Sequence, residues 1–62
     1  MTKLTMAQKR AIRALYLRIE KPRPAYKEFR ASVTPELAGY GAVMVPWCGM
    51  WIGVEKDGYA HS

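Results

Sequence analysis

The chain has 62 residues and 7.0 kDa, half of them hydrophobic, with a formal charge of +5 and a single cysteine. These values exclude a multi-domain enzyme, a disulfide-stapled scaffold, a multi-cysteine zinc module and a disordered polar tail. One small basic α+β domain over residues 1–62 remains.

Size alone makes such a domain marginal. A chain of this mass buries about 60% of its extended surface, and the apolar share of that contributes ~90 kcal/mol at ~25 cal/mol per Å². Ordering 62 residues at ~1.5 kcal/mol each costs about as much. Trp47, Trp51, Phe29 and the four tyrosines therefore matter disproportionately. Association into a homodimer would add burial that the core lacks.

In chain order, Lys3 is followed by Lys9, Arg10 and Arg13, which interrupt any apolar signal-peptide core. Thr5 and Gln8 have capping-box spacing and predict a helix over 6–20. Leu4, Ala11, Ile12, Leu15 and Ile19 share its core face, with Gln8 among them. Lys9, Arg10, Arg13 and Glu20 lie opposite, beside Met6 and Leu17, two apolar residues that the core does not claim.

Pro22 and Pro24 end that helix, and Pro24 suits the first position of a second one over 24–33. Tyr26, Phe29 and Val33 recur at helical spacing and would pack on the first helix, with Lys27 outward and Arg30 at the boundary. Thr34-Pro35-Glu36-Leu37 resembles a further helix start, stopped within a turn by Gly39 and Gly41.

From Ala42 the period becomes two, predicting a β-meander over 42–62 with turns at Cys48-Gly49 and Lys56-Asp57-Gly58. Val43, Val45, Trp47, Met50, Ile52 and Val54 would face the helices, leaving Met44, Pro46, Trp51, Glu55 and Tyr59 on the other face. The expected fold is two antiparallel helices packed on one face of a two- or three-stranded antiparallel meander. Residues 37–54 form an uncharged run of 18, close to the length that spans a membrane. Its four glycines, Pro46 and β-branched residues favour a buried hairpin instead, so no membrane partner is expected.

Three constellations bear on function. The first is a basic surface of Lys9, Arg10, Arg13, Arg18, Lys21, Arg23, Lys27 and Arg30, eight of the ten cations. Counterion release from phosphate backbones rewards such clustering, which makes Lys9, Arg10, Arg13, Arg23, Lys27 and Arg30 the candidate nucleic-acid-binding set. The plainer reading is a solvated helix face that keeps a small protein dispersed. A helix-turn-helix fits poorly, because the connection is Pro-x-Pro and the second helix is short and aromatic.

The second is the strip of Met44, Trp51 and Tyr59, with no cation interleaved on the same strands. That favours a protein or dimer contact over base stacking. The third is Cys48 with His61, separated by ~13 Å at ~3.3 Å per residue, too far for a nucleophile–base pair. Only a metal shared between subunits would use them. The carboxylates and glycines form no acid–base pair and no phosphate loop. No catalytic residue, metal or cofactor is expected.

The stretches Leu4-Thr5-Met6-Ala7-Gln8-Lys9-Arg10-Ala11, Tyr26-Lys27-Glu28-Phe29-Arg30 and Pro46 to Tyr59 resemble, in length and texture, small accessory proteins encoded by tailed bacteriophages. That resemblance implies a cytoplasmic setting in an infected bacterium and action by binding, and it carries over no functional residue. The leading expectation is a non-enzymatic protein that engages nucleic acid or nucleoprotein machinery through the basic helices, with Trp51 and Tyr59 as an apolar anchor. The alternative is a protein-directed inhibitor of a host factor, or a structural subunit, that uses the outer sheet face.

Overall fold

The computed structural model describes residues 3–36 and 40–62. Two helices, α1 (Met6–Leu17) and α2 (Tyr26–Ala31), precede a four-stranded antiparallel sheet. Its strands β1 (Thr34–Pro35), β2 (Val43–Trp47), β3 (Met50–Val54) and β4 (Ala60–His61) lie in chain order. The α+β class and the helix-on-sheet arrangement are those the periodicity predicts.

The capping box opens α1 as expected. The Thr5 N–H donates to Gln8 Oε1 at 3.0 Å, and the Gln8 N–H donates to Thr5 Oγ1 at 3.1 Å. The helix ends at Leu17, three residues earlier than predicted. The N–H groups of Arg18 and Ile19 turn back to the carbonyls of Leu15 and Tyr16, each at 3.1 Å, tightening the last turn. Arg23 then supplies what a helix end lacks, donating to the carbonyls of Leu17 and Ile19 at 3.3 and 3.4 Å. Pro24 does not open α2 but precedes its N-cap, Ala25, and its carbonyl accepts from Tyr16 Oη at 2.7 Å.

Thr34-Pro35 departs most from expectation. It starts no helix; it forms an edge strand, Thr34 opposite Met44 and Pro35 opposite Val43. The Glu36 N–H extends that pairing by donating to the Ala42 carbonyl at 3.0 Å. On an edge, the N–H that proline lacks breaks no ladder. The sheet thus has four strands rather than two or three. Leu37 and Gly39 of the expected helical turn lie outside the described residues, and Gly41 has φ +80°.

The β2–β3 turn is the predicted Cys48-Gly49, with φ +49° and +80°, the left-handed pair of a type I′ hairpin. It closes on Trp47 opposite Met50. Alternation along an antiparallel ladder then makes Trp47–Met50, Val45–Ile52 and Val43–Val54 the hydrogen-bonded pairs. Pro46 falls in a non-bonded pair opposite Trp51, so its missing N–H faces away from β3 and costs nothing. At the second turn Gly58 has φ +89°, and Glu55 and Tyr59 are joined by a 2.8 Å backbone bond.

The helices cover one face of the sheet. Ile12, Val43, Val45 and Val54 are fully buried between the layers, with Leu4, Phe29, Val33 and Ile52 around them. Trp47 closes one margin, its Nε1–H donating to the Leu15 carbonyl at 2.7 Å. Met50, predicted to face the helices, is paired with Trp47 beside the hairpin turn and remains 46% exposed there. Gln8 is the one buried polar side chain among the described residues; its Nε2 donates to the carbonyls of Gly41 and Val54 at 2.9 and 3.2 Å. No helix among the described residues is long and apolar enough to cross a membrane, and residues 43–54 of the uncharged run form the hairpin.

Candidate nucleic-acid interface

Because Gln8, Ile12 and Leu15 turn α1 toward the sheet, Lys9, Arg10 and Arg13 are left in solvent. Met6 and Leu17 share that outer side and are 63% and 55% exposed, as the helical projection requires. At 1.5 Å per residue this surface is roughly 18 Å long. Lys27 on α2 is also exposed, whereas Arg30 is half-buried.

A chain of cation–ring contacts joins the two helices. The Arg13 guanidinium lies 5.8 Å from the Tyr26 ring centroid. Tyr26 meets Tyr16 edge to face at 5.1 Å, and Arg23 stacks over Tyr16 at 5.1 Å. The pairing is crossed, each arginine reaching the tyrosine of the other segment. A stacked guanidinium keeps its in-plane N–H groups available and loses side-chain freedom before any ligand arrives, so the contacts pre-orient Arg13. Periodicity assigns Tyr26 to packing and says nothing of Tyr16. The only visible signal is the matched spacing Arg13-x-x-Tyr16 and Arg23-x-x-Tyr26.

The candidate cations therefore divide. Lys9, Arg10, Arg13 and Lys27 are exposed and, among the described residues, have no carboxylate partner. Arg23 is half-buried and committed to the end of α1. Arg18 sits on the opposite flank of α1, 5.9 Å from the Trp47 ring.

Met44, Trp51 and Tyr59 occupy the far face of the sheet, where Trp51 is 54% and Tyr59 65% exposed. Cations and aromatic strip thus lie on opposite sides of the molecule, so Trp51 and Tyr59 do not anchor a ligand lying on α1. His61 belongs to the same far face. It lies opposite Gly53, the position the meander predicts. A Cβ at Gly53 would sit 3.0 Å from its ring, so a side chain there would displace the imidazole by a few tenths of an ångström. Its Nε2 is 2.7 Å from Glu55 Oε2, and its ring stacks on Tyr59 at 5.8 Å and 25°. The hydrogen bond to Glu55 holds the His61 pKa above its ordinary 6.5. Cys48 is a free, exposed thiol at the hairpin tip. Among the described residues no group of three or more His, Cys, Asp or Glu is placed to hold a metal ion.

No protein-family model matches the chain, and neither curated proteins nor solved structures provide a match.

Proposed function

We propose that the protein is a nucleic-acid-binding protein that docks on the phosphate backbone through the outer surface of α1 and α2. The observation that carries this reading is the set Lys9, Arg10, Arg13 and Lys27, exposed, contiguous across the helix seam and without carboxylate partners among the described residues. Arg13, held against Tyr26, is the best-oriented phosphate donor of the four. Contacts to phosphate oxygens carry no sequence information, so binding through these four cations is sequence-tolerant.

Four phosphate contacts predict a log–log salt slope of about −3.6 on duplex DNA, or about −2.8 on a single strand. Raising salt from 50 to 200 mM should then weaken duplex binding about 150-fold. Fluorescence anisotropy with random duplex and single-stranded oligonucleotides measures both slopes. Arg10→Ala should make the duplex slope about 0.9 shallower. Absence of binding at low ionic strength would remove the proposal.

A further inference from the structure

We propose that the protein has a second binding site, on the flank of α1 away from Lys9, Arg10 and Arg13, and that it takes a small aromatic carboxylate. The helices do not cover the whole inner face of the sheet. Beside the end of α1 lies a solvent-open cavity of about 410 Å³, with Leu15 and Arg18 on its helix side and Trp47, Met50 and Ile52 on its sheet side. Residues 60–62, in and after β4, border it as well. Its volume is in the range of small-molecule sites, ~300–1,000 Å³.

Pleat parity explains why these side chains meet. Trp47 pairs with Met50 and Val45 with Ile52, so Trp47, Met50 and Ile52 share the face that the core valines occupy. Trp47–Met50 is the last rung before the turn, and Met50 stays 46% exposed there. The Trp47 ring is fixed, since its Nε1–H donates to the Leu15 carbonyl at 2.7 Å. The Arg18 guanidinium lies 5.9 Å from that ring, so wall and cation are set in place before a ligand arrives.

Charge selects the occupant. Among the described residues no Asp or Glu lines the cavity, and Arg18 forms no salt bridge. His61, the other lining group able to carry positive charge, is taken by Glu55 at 2.7 Å. One guanidinium matches one planar carboxylate, whereas a phosphate monoester brings about −1.5 to −2 charges. Leu15 and Ile52 supply apolar contact, and the Trp47 ring and Met50 thioether favour a flat aromatic body. A second recess, among Tyr40, Glu55, Lys56, Asp57 and Tyr59, mixes both signs of charge and selects no such ligand.

The test titrates the full chain with 2-naphthoate, and with neutral 2-naphthamide as its uncharged counterpart, by two-dimensional proton–nitrogen NMR. Naphthoate should shift the Trp47 indole N–H and the Arg18 amide, with a dissociation constant on the order of 0.1–1 mM. The amide should bind the parent about 10-fold more weakly. Arg18→Gln should weaken naphthoate about 10-fold and erase its preference over the amide. Lys3→Ala, which removes the same charge near the other end of α1, should change neither. Arg18 and Lys3 are exposed, and far-ultraviolet circular dichroism checks each fold; the acid–amide comparison on the parent needs no variant. No shift at Trp47 with ~5 mM naphthoate, equal binding of acid and amide to the parent, or shifts centred on Trp51 overturns the proposal. Because no nucleic acid is present, each result leaves the phosphate-binding reading to its own salt titration.

Discussion

Replacing Gln8 by leucine tests whether one buried amide holds the layers together. Position 8 lies on the core stripe of α1 and is 1% exposed, so hydrophobicity alone favours leucine there. The amide, however, makes three side-chain bonds: it accepts from the Thr5 N–H, and its Nε2 serves the carbonyls of Gly41 and Val54. Losing these three bonds leaves the Thr5 donor and the Gly41 acceptor unpaired and the Val54 carbonyl with its Val43 ladder bond alone, at a net ~1 kcal/mol per bond, about 3 kcal/mol. Added apolar burial of about two carbons returns ~1.6 kcal/mol. The expected loss is therefore about 1.5 kcal/mol, from a total of roughly 3–9 kcal/mol for a domain of this length. With a urea m-value of ~1 kcal/mol/M, the unfolding midpoint should fall by about 1.5 M. Gln8→Glu sharpens the comparison, because it keeps the acceptor for Thr5 but sets a carboxylate against two carbonyls. It should be less stable than Gln8→Leu at neutral pH and recover on acidification, when the protonated acid donates again. A Gln8→Leu midpoint equal to or above that of the parent would show that these bonds contribute no net stability.

Arg23→Ala should lower thermal stability by about 1–2 kcal/mol through the lost carbonyl bonds at the end of α1, whereas Lys27→Ala should leave it within ~0.5 kcal/mol. Parallel thermal melts and salt titrations separate the two roles, and an Arg23→Ala melt like that of the parent would refute the capping function. His61 should titrate above 6.5, because hydrogen bonding to Glu55 favours its protonated form. The stability from that pair is present below pH 6.5, so long as Glu55 is ionised, and is lost as pH rises through the raised value. Proton NMR of the imidazole follows the titration, and Glu55→Gln should return it toward the ordinary midpoint; no movement would rule out Glu55 as the cause.

Local chemistry was legible where one segment decides the outcome. The capping box, the left-handed Cys48-Gly49 turn, the Asp57-Gly58 turn and the alternation through Val43–Val54 depend on neighbours within a few residues. Thr34-Pro35 was not legible for the opposite reason. Thr-Pro-Glu satisfies a helix start and an edge strand equally, and the deciding partners, Met44 for Thr34 and Val43 for Pro35, come from about ten and eight residues away. The end of α1 depended likewise on Arg23, which reaches back from beyond the prolines. At the candidate site, the clustering of cations was readable but their sorting was not. Crossed Arg–Tyr contacts exist only once α1 and α2 share a seam. Pleat parity already put Trp51 and the valines on opposite faces. That the cations lie across the sheet from Trp51 follows from which face α1 buries.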